Sequence, residues 1–139
     1  MTKILLASHM QMAGGLKNTL NYICPDHDDI MVLNAYEKNV PVEEELAALL
    51  STVGDDDDCL IFTDLLGGSV NQAAAIQIAG KPNFHLIAGM NLPLVLSLIL
   101  TCKNGVDADA IRMAIEEARS QMVYVNDVLF GNQDEDEDE

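Results

Sequence analysis

The chain has 139 residues, 49% of them hydrophobic, which is enough for one domain with a buried core. Its formal net charge of −16 argues against nucleic acid and anionic membrane surfaces as partners, because binding to phosphate groups requires Lys and Arg. No apolar run approaches the ~20 residues that a membrane-spanning helix needs. The N-terminus enters a strand with no basic-then-apolar leader, so we expect a cytoplasmic protein without membrane insertion.

Short β-rich runs alternate with helical stretches, which is typical of βαβ units and a parallel sheet. The four predicted strands cover residues 3–8, 29–34, 59–63 and 84–88. All four are nearly continuous in apolar residues, as expected of strands that helices cover on both sides. The sequence therefore predicts an α/β fold whose parallel sheet of about four strands is flanked by helices on both faces.

Capping residues and apolar residues at helical spacing mark the helices. The second helix begins at Pro41, with apolar positions repeating as far as Val53, and Asn91 caps the fourth. The body of the fourth helix is apolar on every side, so something must cover it, and a subunit interface is a reasonable cover. The predicted helices cover residues 12–23, 41–53, 68–79, 92–100 and 107–122.

The C-terminal part of the chain divides into two segments of opposite character. The apolar run at residues 122–125 predicts an edge strand for its own sheet or for a neighbouring one. The final six residues are all Asp or Glu and should repel one another. We therefore expect a single domain over residues 1–131 and a disordered acidic tail over residues 132–139.

Two other features favour structural interpretations. The three cysteines have no C-x-x-C spacing, and Cys59 lies in an apolar strand, so buried free thiols are the preferred interpretation. The four aspartates at residues 55–58 could form a metal site, but a solvated turn is preferred. We therefore expect neither a metal nor a cofactor.

His9 and Asp64 follow the first and third predicted strands, at the end of a parallel sheet where ligands bind. A hydrogen bond to Asp64 from one ring nitrogen would fix the His9 tautomer and make the other nitrogen more nucleophilic. Residues 8–15 offer no second His or Cys for a metal. Ser8 and Ser69 lack the G-x-S-x-G context of a hydrolase nucleophile. These observations favour the imidazole as the reacting group, although each residue alone could be structural.

The residues after Asp64 are suited to hold an anion. Backbone N–H groups of Gly67, Gly68 and Ser69 begin the third helix and could bind a phosphoryl group, with the helix dipole behind them. Gly14 and Gly15, at the start of the first helix, are candidates for the same role. The alternative interpretation of residues 64–69 is a tight strand-to-helix turn with a capping serine.

Three segments together resemble a known family, the enzyme IIA component, mannose family, of the bacterial phosphoenolpyruvate-dependent sugar phosphotransferase system. The segments are ILLASH at residues 4–9, FTDLLGGS at residues 62–69 with Asn71 after it, and IAGMNLP at residues 87–93. Their order and spacing fit over roughly residues 1–125, nearly the whole chain. The resemblance implies a parallel sheet flanked by helices, as the strand pattern does.

The resemblance also implies a reaction and its partners. His9 would take a phosphoryl group from phosphorylated HPr and pass it to a IIB component on a separate chain. Asp64 would hold the other ring nitrogen, and Ser69 with the adjacent backbone would contact the phosphate. Family members form homodimers by exchanging a C-terminal strand, for which residues 123–125 are the candidate here.

The sequence differs from the family pattern at two positions, and it leaves two alternative functions open. The family usually has glycine where this chain has Met10, and proline where it has Val70, which affects loop shape and partner fit. One alternative is a carrier of a dihydroxyacetone kinase system, whose loop usually lacks the LLGGS form. The other is a regulatory module whose phosphorylation controls a binding partner. Transfer to a IIB component would distinguish a transport carrier from a regulator.

Overall fold

The sheet consists of four parallel strands. The structure, a computed structural model, describes residues 1–27 and 29–137. Its strands are β1 (Thr2–His9), β2 (Ile30–Ala35), β3 (Asp58–Thr63) and β4 (Phe84–Ala88). They lie in the order β2-β1-β3-β4, and every neighbouring pair is parallel. The predicted parallel sheet of four strands is confirmed.

The strand order places a crevice between β1 and β3. Leu5 of β1 pairs with Met31 of β2 on one side and with Ile61 of β3 on the other. The chain leaves β1 in one direction for β2, then crosses back to form β3 on the opposite side. The point where the strand order reverses in this way is called a topological switch point. In open α/β sheets, ligands bind at this point, beyond the carboxyl ends of the strands. His9 is the last residue of β1, and Asp64 directly follows β3.

Six helices are present in the described part of the chain. They are α1 (Met12–Ile23), α2 (Val42–Leu50), α3 (Ser69–Ile78), α4 (Leu92–Thr101), α5 (Ala108–Ser120) and α6 (Val125–Glu137). The predicted cap of α4 is confirmed, because Asn91 Oδ1 accepts the Leu94 N–H at 3.0 Å. Helix α2 is shorter than predicted, and Val53 packs against the core from the turn beyond it. None of these helices is long and apolar enough to cross a membrane.

Alternate residues of the central strands bury their side chains on opposite faces of the sheet. On one face, Leu6 and Phe62 join a core cluster with residues of α1, α4 and α5. On the other face, Leu5 and Ile61 join a cluster with residues of α2 and α3. The prediction of helices on both faces is therefore confirmed, and both clusters are anchored on β1 and β3, the strands that carry the candidate site.

Helix α4 is covered by its own chain. Leu94 and Leu98 are buried in the cluster shared with the sheet, and Ile111 and Ala114 of α5 belong to the same cluster. Of the apolar side chains of α4, Leu100 alone is more than half exposed. The subunit interface that we suggested for this helix is therefore not needed, because α5 packs over the face that the sheet leaves open.

The predicted edge strand at residues 122–125 does not form in the chain's own sheet, and its exchange with a second subunit stays a prediction. Residues 122–124 have no regular structure, and Val125 begins α6. A strand needs a neighbouring strand to satisfy its N–H and C=O groups, whereas a helix satisfies them within the segment. Helix α6 runs to Glu137, into the tail that we expected to be disordered over residues 132–139. Residues 138 and 139 lie outside the described residues, and the domain boundary at 131 stays a prediction.

Candidate functional site

His9 and Asp64 form a directly hydrogen-bonded pair at the crevice between β1 and β3. Asp64 Oδ2 accepts the backbone N–H of His9 at 2.8 Å and also lies 2.7 Å from His9 Nδ1. The two contacts to one carboxylate oxygen fix the imidazole relative to the strand that carries it. The structure thus brings together the two residues that the sequence placed after the first and third predicted strands.

The environment of Asp64 favours its ionised form. Burial acts to raise the pKa of this carboxyl group. The hydrogen bonds from the His9 backbone and ring, and the Leu65 N–H at 2.9 Å from Oδ1, outweigh burial and hold the pKa of Asp64 below its ordinary value. An ionised carboxylate can only accept hydrogen bonds, so Nδ1 of a neutral His9 carries the proton and Nε2 carries the lone pair.

The lone-pair nitrogen of His9 faces Ser69 and solvent. Ser69 Oγ lies 3.3 Å from Nε2, and Ser69 is the first residue of α3. The His9 side chain is 38% exposed, so a group carried by another molecule can reach Nε2. Since Nε2 is the unprotonated nitrogen, the Ser69 hydroxyl is the donor in this contact.

Tyr36 is a site residue that the sequence reasoning missed. Its hydroxyl lies 2.5 Å from Ser69 Oγ, and its ring centroid lies 5.4 Å from that of His9 at an angle of 35°. It follows the last residue of β2, Ala35, so it shares the sheet edge with His9 and Asp64. That position, two residues beyond the predicted strand at residues 29–34, is the signal that could have identified it.

The Gly67–Gly68 turn brings the start of α3 close to His9. Gly67 has a φ of +75°, which side chains disfavour. A Cβ on Gly68 would lie 3.1 Å from Leu65 Cβ, 3.2 Å from Leu65 O and 3.6 Å from His9 Cε1. The N–H of Gly67 donates to Asn71 Oδ1 at 3.1 Å, and that of Gly68 donates to Leu65 O at 3.0 Å. The turn therefore uses both of these N–H groups internally.

The first turn of α3 has no side-chain cap. The N-cap is Gly68, which makes no side-chain hydrogen bond, and the first N–H groups of an α-helix have no partner within the helix. The helix begins with Ser69, whose hydroxyl contacts His9, so its positive end lies beside the lone-pair nitrogen. An anion bound at Nε2 would therefore lie near the positive end of α3.

Asn71 holds this turn in place. The side chain is buried, its Nδ2 donates to Thr63 Oγ1 at 2.9 Å, and its Oδ1 accepts the Gly67 N–H. One amide therefore links the last residue of β3 to the turn that follows Asp64. The sequence showed Asn71 as part of a motif, but not this linking role.

Gly14 and Gly15 do not offer donors to the site. The N–H of Gly14 donates to Asn34 Oδ1 at 3.0 Å, and that of Gly15 donates to Gln11 O at 2.9 Å. A Cβ on Gly14 would come within 2.9 Å of Asn34 Nδ2. The expectation that these glycines add phosphate donors is therefore wrong: Gly14 allows α1 to pack closely against β2.

Met10 occupies a backbone conformation that suits glycine. Its φ is +52°, and its N–H donates to Ala35 O at 2.9 Å, which joins the ends of β1 and β2. This left-handed conformation explains why a related sequence would have glycine after the histidine. Val70, at the second departure, is fully buried against α2 and the sheet.

The polar centre is bordered by exposed apolar side chains. Leu65 and Leu66 are both largely exposed, Leu66 at 86%, and Met10 and Met12 are about half exposed. We call these four residues the apolar rim. Exposed apolar groups next to a reactive side chain are typical of a surface that meets another protein.

The other histidines and the cysteines take no part in this site. His27 Nε2 lies 2.7 Å from Asn21 Oδ1 near the end of α1, and His85 is half-buried on β4. Burial raises the pKa of the Cys59 thiol to about 12, so it is not a thiolate at neutral pH. Among residues 1–27 and 29–137, no three His, Cys, Asp or Glu side chains are grouped to hold a metal.

Comparison with known proteins assigns the chain to a family. A family model described as PTS system fructose IIA component (EIIA-man) matches residues 3–116. The chain belongs to this family. It is also 23% identical, over its whole length and 99% of the relative's, to the PTS system fructose-specific EIIA component of Bacillus subtilis (strain 168). The resemblance drawn from the three sequence segments is therefore confirmed, and the chain is a IIA component of a sugar phosphotransferase system.

Solved structures agree with this assignment. A putative phosphoenolpyruvate-dependent sugar phosphotransferase system permease from Klebsiella pneumoniae has 29% identity and a TM-score of 0.85, with 92% of this chain and 93% of that chain covered. The mannose/sorbose-specific IIA subunit from Enterococcus faecalis has 22% identity and a TM-score of 0.76, with 88% and 92% covered. The second similarity is evidence for the shared fold alone.

Proposed function

We propose that this IIA component carries phosphoryl groups on Nε2 of His9, as a cytoplasmic protein that takes them from phosphorylated HPr and passes them to a separate IIB component. One observation carries the proposal. Asp64 binds both the backbone N–H and Nδ1 of His9, which leaves the lone pair on Nε2, in a side chain that is 38% exposed. Such a nitrogen is a nucleophile that needs no base to deprotonate it.

Each transfer is a displacement at phosphorus. The Nε2 lone pair of His9 forms the new N–P bond, the bond between phosphorus and the donor atom of HPr breaks, and its electron pair returns to that atom. The proton on Nδ1 stays in place, so the phosphorylated ring is cationic. Asp64 stabilises that charge through the 2.7 Å contact. Transfer to IIB repeats the step with His9 as the leaving group.

The turn and the start of α3 supply the phosphate-binding groups in this proposal. Ser69 offers its hydroxyl and backbone N–H, and the uncapped first turn adds N–H groups and the helix dipole. Gly67 and Gly68 contribute because, without side chains, they let the phosphoryl group approach the helix end. Preorganised donors of this kind stabilise the charge on the transferring group without having to reorient during transfer.

We further propose that the chain forms a homodimer through its C-terminal segment. Five apolar side chains of this segment are each more than half exposed: Val123, Tyr124, Val128, Leu129 and Phe130. This is an unusual concentration of apolar surface in a chain with a net charge of −16. A second copy of the chain would cover them. Because α6 is helical in the single chain, the proposal concerns this surface and not a particular exchanged strand.

Intact mass spectrometry tests the carrier role. The protein is incubated with phosphoenolpyruvate, Enzyme I and HPr, and a IIB component is then added. We expect one acid-labile phosphoryl adduct on the wild type, its loss to IIB, and no adduct on His9→Ala. The matched variants His27→Ala and His85→Ala should keep the adduct. An adduct that persists on His9→Ala would contradict the assignment, and an adduct that is never passed to IIB would favour the regulatory alternative.

A further inference from the structure

Tyr36 belongs to the polar chain of the site, but the transfer step described above does not use it. Its hydroxyl lies 2.5 Å from Ser69 Oγ, which lies 3.3 Å from His9 Nε2. The three residues come from different parts of the fold, namely the end of β2, the start of α3 and the end of β1. A chain of hydrogen bonds therefore connects three elements at the lone-pair nitrogen.

The direction of these hydrogen bonds follows from Asp64. Its carboxylate holds the proton on Nδ1, so Nε2 can only accept, and the Ser69 hydroxyl must donate to it. Ser69 Oγ then has lone pairs but no further hydrogen, so Tyr36 is the donor in the contact between the two hydroxyls. The Tyr36 hydroxyl thus fixes the orientation of the Ser69 hydroxyl, which faces the reacting nitrogen.

The backbone of Tyr36 is consistent with a role in the site. Its φ is +72°, a conformation that residues with a Cβ rarely adopt, and such outliers cluster at functional sites. The side chain is half exposed, so core burial does not hold it there. Its contacts are instead the Ser69 hydroxyl and the His9 ring, with ring centroids 5.4 Å apart.

We propose that Tyr36 is a positioning residue that acts through Ser69. In the free protein it keeps the Ser69 hydroxyl directed at Nε2. When a phosphoryl group occupies Nε2, the hydroxyl turns to a phosphoryl oxygen, and Tyr36 continues to hold it as a donor. The second part rests on the proposed function, whereas the first concerns only the unphosphorylated protein.

The hydrogen bond from the Ser69 hydroxyl stabilises the phosphorylated state more than the unphosphorylated state. A hydrogen bond to a charged phosphoryl oxygen is about twice as strong as one to a neutral nitrogen. Tyr36→Phe keeps the ring beside His9 and removes only the hydroxyl. We therefore expect the phosphoryl-exchange equilibrium with HPr to shift toward phosphorylated HPr by roughly threefold to tenfold in this variant.

Two readouts on Tyr36→Phe test the proposal. The ¹⁵N chemical shift of His9 Nε2 in the unphosphorylated protein should move downfield as the hydrogen bond from Ser69 weakens, and the exchange equilibrium with HPr should shift as stated. Tyr22→Phe, at a position 89% exposed on α1, should change neither. In a Ser69→Ala background, Tyr36→Phe should have no further effect on either readout.

Different outcomes separate this inference from the proposed function. Unchanged readouts in Tyr36→Phe would overturn the inference. It would also be overturned if Tyr36→Phe had the same effect in the wild-type and Ser69→Ala backgrounds, because Tyr36 would then act independently of the Ser69 hydroxyl. If the wild type accepts no phosphoryl group, the proposed function fails. The Nε2 chemical shift would still decide whether Tyr36 positions Ser69 in the free protein.

Discussion

At the scale of single residues, Asp64 sets which nitrogen of His9 can react. An amide at this position could accept one hydrogen bond through Oδ1, or direct its NH₂ group at Nδ1 and favour the opposite tautomer. We expect Asp64→Asn to slow phosphoryl acceptance from HPr on the order of 10²- to 10⁴-fold, as for other carboxylates that orient a reacting imidazole. Rapid-quench assays measure this rate. Asp29→Asn, at a 97% exposed side chain, should transfer at the wild-type rate, and an equal loss there would contradict the account.

The depressed pKa of Asp64 also predicts how stability depends on pH. A carboxyl group with a lower pKa in the folded than in the unfolded state, where it is about 3.9, stabilises the fold fully only above the unfolded value. That contribution is lost as the pH falls through the folded pKa. Urea denaturation from pH 6 downward should therefore show the stability difference between wild type and Asp64→Asn shrinking below about pH 4. A difference that stays constant with pH would show that the pKa of Asp64 is not depressed.

Met10 presents a case in which glycine should improve stability. Its φ of +52° disfavours any side chain, and the side chain itself is about half exposed, so little packing is lost on removal. We expect Met10→Gly to raise the free energy of unfolding by about 0.5–1 kcal/mol. Met113→Gly, at an exposed position within α5, should lower it by about 1 kcal/mol. Thermal denaturation compares the two, and destabilisation by both would refute the conformational explanation.

At the scale of elements, Asn71 links β3, the glycine turn and α3. Removing its amide leaves Thr63 Oγ1 and the Gly67 N–H without their partners, at a cost of about 1–3 kcal/mol. We expect Asn71→Ala to lose stability in this range and to speed hydrogen exchange at the Gly67 amide. Asn18→Ala, at an exposed position on α1, should change stability by less than about 0.5 kcal/mol. Unchanged exchange at Gly67 would show that the turn does not depend on Asn71.

The elements of the fold differed in how far the sequence could predict them. The four strands and the start of α4 were predictable because continuous apolar runs and the Asn91 cap act over a few residues. The structure of residues 122–125 was not predictable, because strand formation depends on a neighbouring strand that a local sequence pattern does not reveal. The cover of α4 was missed for the same reason, since it depends on how α5 packs.

The candidate site was predictable in part. The positions of His9 and Asp64 after the first and third predicted strands, at one end of a parallel sheet, predicted the pair. Tyr36 was missed because its role depends on a left-handed backbone conformation and on a contact across three elements. The sequence also predicted free N–H groups at Gly67 and Gly68, whereas both donate hydrogen bonds within the turn. Such internal hydrogen bonds cannot be predicted from the residue types of a turn.

At the scale of the whole molecule, the exposed C-terminal side chains predict self-association. We expect the wild type to sediment as a dimer. A Leu129→Asp, Phe130→Asp double variant should sediment as a monomer with an unchanged circular dichroism spectrum, because unpaired charges are unfavourable in a buried interface. Met113→Asp, at a similarly exposed residue of α5, should remain dimeric. A wild type that stays monomeric at high concentration would contradict the proposed homodimer.

The central claim is that Nε2 of His9 carries the phosphoryl group while Asp64 holds the proton on Nδ1. Long-range ¹H–¹⁵N spectra of the protein, recorded before and after phosphorylation by phosphoenolpyruvate, Enzyme I and HPr, test it most directly. The account predicts that phosphorylation changes the His9 Nε2 resonance to that of a phosphorylated nitrogen and leaves Nδ1 protonated, with His27 and His85 unmodified. A phosphoryl group on Nδ1 of His9, or on either of the other histidines, would contradict it.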